Sequence, residues 1–210
     1  MFNFEITKYV DLLNNDGLSS VQNHAAQQHH DAYRQIYNLI DTVKPKRILE
    51  IGTALGGLTQ FLDLSCRDLG LDTEIRSYDI HKNDWYDSIC SSSMSIIVKN
   101  IFSDNYKNLQ DLSVIDFLQQ DGISLVMCDG GSKKDEFNVL SQYLKNNDII
   151  MTHDYAPDAG YFNQFVYHKI WNWHEIRYSD IQLSIEKYSL KPFMYEDMLT
   201  VAWGCFRKES

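Results

Sequence analysis

The residues that could do chemistry fall in three short segments of this 210-residue chain. The first is Glu50-Ile-Gly-Thr-Ala-Leu-Gly-Gly57, an apolar run ending in an acid, then glycines, then a helical pattern. Glycine permits a tight strand-to-helix turn and lets a ligand approach the backbone, and the free N–H groups of a helix start favour its negative end. The spacing is not the G-x-G-x-x-G of a dinucleotide site. Glu50 at the strand end would repel a pyrophosphate and suit a cationic group. The second segment is Ser77-Tyr-Asp-Ile80, where Asp79 ends the next strand and could accept two ribose hydroxyls. Together the two point to a nucleoside carrying a positively charged amino-acid tail. A turn built only for strand–helix packing is the plainer alternative. The third segment pairs Asp129, in Cys128-Asp-Gly-Gly-Ser132, with His153 and Asp154, in Ile150-Met-Thr-His-Asp154. Carboxylates ending adjacent parallel strands, about 4.8 Å apart, can share one cation, and magnesium is commonly held by one or two of them. Two solvated strand-end acids, or Asp154 as a helix cap, would give the same pattern.

The elements that position these residues alternate. Strands are expected at 47–51, 74–80, 95–99, 123–128 and 148–152, with helices at 57–69, 109–120 and 134–145. Near-continuously apolar strands separated by helices imply right-handed crossovers and a parallel sheet covered on both faces. The fold class is therefore α/β, a doubly wound, mainly parallel, Rossmann-like sheet. Additions lie at both ends. Ala26, His29, His30, Tyr33, Ile36, Tyr37 and Ile40 share one face of a helix expected over 25–43, which Pro45 ends. Residues 1–22 read as irregular, with a turn at 14–17. Helices at 161–173 and 180–188 and a strand at 200–206 follow the fifth strand. One domain over 1–210 is expected, with an N-terminal helical cap (1–43), a cofactor-binding core (44–155) and substrate-side helices with a last strand (156–210).

From Lys44 to Gly57, at Ser77–Ile80 and in the two strand-end segments, the chain resembles the class I S-adenosylmethionine-dependent methyltransferases. The strand-end segments are similar to the metal-dependent sugar and small-molecule O-methyltransferases and their cephalosporin-hydroxylase-like relatives. The resemblance covers roughly residues 20–155. It implies S-adenosylmethionine bound by Glu50, Gly52, Thr53, Gly56, Gly57, Asp79 and the adenine-side pair Asn100 and Ile101. It also implies a divalent cation, Mg or Mn, on Asp129, His153 and Asp154, and methyl transfer to a hydroxyl of a sugar-like acceptor with Asp129 and His153 as the catalytic pair. Many such relatives carry a histidine where this chain has Ser132, so the base is expected to be His153, or Lys133 if its pKa were pushed far down. Metal-independent transfer by His153 and a non-catalytic cofactor-binding protein are the alternatives. His24, His29 and His30 could belong to a lid. Tyr161, Phe162, Phe165, Tyr167, Trp171 and Trp173 could form a sugar-stacking wall or simply pack.

Composition limits the partners. Nineteen basic against 29 acidic side chains give a net charge of −10, a field that disfavours nucleic acid. No run reaches the roughly 20 apolar residues of a membrane span, and charges at the N-terminus argue against a secretory leader. Cys66, Cys90, Cys128 and Cys205 have no metal-type spacing, as expected of a reduced protein. The expectation is a soluble, cytoplasmic enzyme acting on a small molecule, with a homo-oligomer open.

Overall fold

The computed structural model describes residues 10–12 and 19–210; the turn expected at 14–17 lies outside them. Three short strands, β1 (Val10–Leu12), β2 (Ser19–Val21) and β3 (His24–Ala26), pair as an antiparallel sheet. The expectation of irregular chain here is corrected. Gln22 and Asn23, both at positive φ (48° and 70°), make the tight turn that folds β3 onto β2. This pairing also delays the first helix. α1 runs over Ala32–Val43 rather than from residue 25, so Ala26, His29 and His30 are not on it. Its apolar face is Tyr33, Ile36, Tyr37 and Ile40, and Lys44, left-handed at φ 49°, ends it before Pro45.

The main sheet has seven strands: β4 (Arg47–Ile51), β5 (Glu74–Asp79), β6 (Met94–Val98), β7 (Ser124–Cys128), β8 (Ile149–Thr152), β9 (Leu190–Pro192) and β10 (Gly204–Lys208). Their spatial order is β6-β5-β4-β7-β8-β10-β9. β4 to β8 are parallel, and β10 runs antiparallel to both of its neighbours. Strand residues alternate between two apolar layers. Ile48, Ile75, Leu125, Met127 and Met151 face one layer with α1 and α2 (Gly57–Asp68). Leu49, Tyr78, Val126, Cys128 and Ile150 face the other, with α4 (Leu112–Gln119), α5 (Lys133–Leu140) and α7 (Tyr178–Lys187). A short α3 (Tyr86–Ile89) follows β5. Both faces of the central strands are thus covered, as their near-continuous apolar sequences require.

The helix expected over 161–173 is not formed. α6 is one turn (Ala159–Tyr161), followed by a π turn at Phe162–Val166 and irregular chain. Tertiary packing overrides helical periodicity here: Phe162, Val166 and Trp171 collapse onto Ala156 and Ala202. Ile176 meanwhile bridges to Tyr155, and His168 takes a positive φ of 57°. The last strand begins at Gly204 rather than 200, because Val201–Trp203 turn back onto α8 (Tyr195–Leu199), Trp203 N–H donating to the Met198 carbonyl at 3.0 Å. Among the described residues no helix is long and apolar enough to cross a membrane.

Candidate active site

The sheet order reverses direction between β4 and β7, and ligands of open α/β sheets collect outside the carboxyl ends at such a point. Gly52, Asp79, Asp129 and His153 each end or follow β4, β5, β7 and β8. Asn100 lies just beyond β6. Two cavities open there and share Gly52, Ala54, Asp129 and Gly130 in their walls.

The cavity over β5 and β6 has a volume of about 310 Å³ and is walled by Tyr78, Asp79, Asn100, Ile101, Phe102 and Tyr106. Asp79 accepts hydrogen bonds from the backbone N–H groups of Ala54 (2.8 Å) and His81 (2.9 Å). These two bonds fix the carboxylate, and each oxygen keeps a lone pair for a ligand hydroxyl. Asn100 Oδ1 accepts from the Phe102 N–H at 3.0 Å.

The glycines of the first segment are also required by packing. Gly52, at φ +97°, would place a Cβ 2.4 Å from the Asp129 carbonyl oxygen. A Cβ on Gly56 would meet the Trp85 ring, and one on Gly57 the backbone of His24 and Ala25. At all three positions an added Cβ would overlap protein atoms. Gly52 and Gly57 still line the second cavity with Thr53, whereas Gly56 lines neither. Glu50, expected as a cofactor contact, is held inside the protein. It is wholly buried and lines neither cavity. Its Oε2 accepts from the hydroxyls of Thr59 (2.6 Å) and Ser77, while Oε1 has no partner. Burial pushes its pKa up to about 7, restrained by the Ser77 and Thr59 hydroxyls and reinforced by Asp129 and Asp79.

The second cavity, about 340 Å³, is bounded by residues 25–28, the first turn of α2, and Asp129, Lys133, His153, Asp154, Trp171, Trp173 and Glu175. β7 and β8 are adjacent and in register, Cys128 opposite Thr152, which sets Asp129 beside His153. His153 Nδ1 lies 2.9 Å from Asp129 Oδ1. The imidazole is stacked on Trp203 (centroids 4.8 Å apart) and near Trp171, and its Nε2 is buried without a partner. Burial would lower the His153 pKa, but the Asp129 and Asp154 carboxylates more than offset this and raise it. Asp129 Oδ2 accepts from Gln28 Nε2 at 2.8 Å, and Gln28 Oε1 accepts from the Trp203 indole at 2.9 Å.

Asp154 has a left-handed backbone, φ 55°. Its Oδ1 accepts from the Trp171 indole and its Oδ2 lies 2.9 Å from Lys133 Nζ. Lys133 Nζ also reaches Glu175 Oε2 (3.0 Å) and the Gly130 carbonyl (3.1 Å), and lies 3.9 Å from Asp129 Oδ1. Burial works against this ammonium, but Asp154 and Asp129 hold its pKa above the ordinary lysine range, which removes Lys133 as a base. Ser132 donates its hydroxyl to Asp135 (2.6 Å) and lines neither cavity. The ligand set expected on Asp129, His153 and Asp154 does not fit a resident divalent ion, because an ammonium stands there already: Lys133 Nζ lies 2.9 Å from Asp154 Oδ2 and 3.9 Å from Asp129 Oδ1.

Gln28, Trp203 and Glu175 carry no signal in the sequence; only the third dimension brings them here. Of the proposed aromatic wall, only Trp171 and Trp173 line the cavity. His24 lies on β3 against Trp85 (4.6 Å) rather than on a helical lid.

No family model matches the chain, and no curated protein matches it in sequence. Solved structures do. CmcI as an Mg–SAM complex superposes with a TM-score of 0.59 at 13% identity, over 86% of this chain and 72% of CmcI. Apo CmcI gives 0.56 at 12% identity, over 86% and 71%. The CMeT domain of the citrinin polyketide synthase gives 0.53 at 13% identity, over 85% and 52%. At such identities the likeness establishes the fold. This chain has the Rossmann-like methyltransferase fold, the one its sequence resemblance implied.

Proposed function

We propose that the protein transfers a methyl group from S-adenosylmethionine to a hydroxyl of a small, polyhydroxylated, sugar-like acceptor. The observation that carries this is the pairing of two joined cavities. One presents the Asp79 carboxylate beside apolar walls suited to a nucleoside. The other is lined by a buried histidine, His153, whose Nδ1 is held by Asp129 and whose Nε2 has no protein partner. The sulfonium cofactor, when bound, supplies an electrophilic methyl group. Asp79 binds the ribose hydroxyls, with Asn100 and Ile101 at the base. Asp129 orients the neutral imidazole with Nδ1–H toward itself, so that bare Nε2 faces the acceptor. The acceptor oxygen forms the new bond to the methyl carbon, the carbon–sulfur bond breaks, and the hydroxyl proton passes to His153 Nε2. Trp171 and Trp173 offer apolar faces to the C–H side of a sugar ring, and the enclosed geometry supplies in-line orientation. No step is routed through a metal.

Calorimetry with S-adenosylhomocysteine tests the reading. Binding to the wild-type chain, weakened in Asp79→Ala by about tenfold or more for the lost charged hydrogen bonds, is the expected result. No binding, or tighter binding of NADH, would overturn it.

A further inference from the structure

We infer that Lys133 is the resident cation of this site: its ammonium holds the strand-end acids together in the place a divalent ion would take, and the wild-type chain binds no metal there. The inference uses the proposed function only to say what the site serves; the geometry stands apart from it. Asp129 and Asp154 follow neighbouring parallel strands, and Lys133 lies in the first turn of α5, which follows β7. Its Nζ has three hydrogens, and three acceptors surround it: Asp154 Oδ2 at 2.9 Å, Glu175 Oε2 at 3.0 Å and the Gly130 carbonyl at 3.1 Å. Asp129 adds charge from 3.9 Å. The lysine is 8% exposed, so this is an interior charge that needs such pairing.

Each oxygen of the two acids also receives a protein donor. Gln28 and His153 occupy the two oxygens of Asp129, and Trp171 and Lys133 those of Asp154. Magnesium would require oxygens at about 2.1 Å in an octahedron with several waters, and hence expulsion of a buried, triply bonded ammonium. The charge balance points the same way. Asp129, Asp154 and Glu175 carry three negative charges, against which Lys133, and His153 when protonated, already stand. Among the described residues, the His, Asp and Glu side chains whose ligand atoms do converge, within 4.8 Å, are His29, His30 and Asp31, outside this cluster. That places Lys133 as a positioning residue. It fixes Asp154 and Glu175 by direct bonds and faces Asp129 from 3.9 Å, without touching the acceptor itself, since its three donors are used.

The probe is Mn²⁺ alone, read by electron paramagnetic resonance on the full chain carrying His30→Ala throughout to silence the His29–Asp31 group, with S-adenosylhomocysteine affinity measured in parallel. The chain with Lys133 intact should show no Mn²⁺ binding that Asp129→Asn abolishes. Lys133→Ala should gain a site at least about tenfold tighter, a difference of about 1.4 kcal/mol, and lose it again when Asp129→Asn is added. Lys133→Met, which keeps the aliphatic stem, repeats the test if the alanine variant is poorly folded. Asp129-dependent Mn²⁺ binding with Lys133 intact would overturn the inference and needs no substitution at Lys133. So would a folded Lys133 variant that gains nothing. Failure of S-adenosylhomocysteine to bind, with the metal result as expected, would count against the proposed function and leave the inference about Lys133 in place.

Discussion

At the scale of single residues, His153 carries the chemistry proposed here and Asp129 sets its state. Burial alone would favour the neutral imidazole. The two flanking carboxylates reverse this and raise the pKa above 6.5. A base must be neutral to act, so kcat/KM should climb with pH along a limb whose midpoint lies above 6.5. In Asp129→Asn one of the raising charges is gone, and the limb should move to lower pH while the plateau falls. Initial rates of S-adenosylhomocysteine release across pH 5–9, wild type against variant, check both shifts. A profile unmoved by the substitution would separate Asp129 from the imidazole. Asp79 works on a different principle: two backbone N–H groups hold its carboxylate in place.

At the scale of elements, the turn after β4 shows how close packing demands glycine. Gly52 N–H donates to the Tyr78 carbonyl (2.8 Å) while Asp129 N–H donates to the Ile51 carbonyl (3.0 Å), so three strand ends converge on this residue. A methyl group at Gly52 would meet both a left-handed backbone and the Asp129 carbonyl. Gly52→Ala should therefore lose at least about 2 kcal/mol of stability in urea unfolding. Gly131 has open space around its α-carbon, and Gly131→Ala should change stability by less than about 0.5 kcal/mol. If the two variants unfold alike, close packing is not what selects glycine at this turn.

At the scale of the whole molecule, buried acids give stability an unusual pH dependence. Glu50 and Glu136 are both pushed up to about 7, chiefly by burial, from an ordinary value of 4.5. Between these values the folded chain keeps protons that the unfolded chain releases. Their stabilising contribution is complete below 4.5 and is lost as pH rises through 7, by up to about 1.4 kcal/mol per pH unit for each group. His153, also raised, adds a loss above 6.5. Asp111, lowered chiefly by Lys99, and Asp154, lowered by His153 and Lys133 against the effect of burial, act oppositely. Their contribution is present above 3.8 and lost as pH falls. Stability should peak near pH 5, and Glu50→Gln should flatten the decline between pH 5 and 8 in urea melts. An equally steep decline in that variant would show Glu50 to be ionised in the folded chain.

The parallel core was legible in the sequence because its signals are local. Arg47–Ile51 reads as a strand from five consecutive positions that the structure buries. The acids at 79, 129 and 154 announce strand ends because charge cannot continue into a sheet covered on both faces. Alternation of strands and helices then leaves few topologies, and the strand-end residues must gather on one edge. What the sequence could not determine depends on contacts distant along the chain. The 24–26 segment became a strand because β2 was there to pair with it, and the 161–173 stretch gave up its helical period to bury Phe162 and Trp171 on Ala156 and Ala202. Glu50, a natural partner for a cationic ligand by its place in the sequence, is turned inward by strand alternation and sealed by Thr59 and Ser77. Lys133 was readable only as a candidate base. Its neighbours Asp154 and Glu175 arrive from other elements, and their combined field decides that the lysine stays charged and serves the site as its cation.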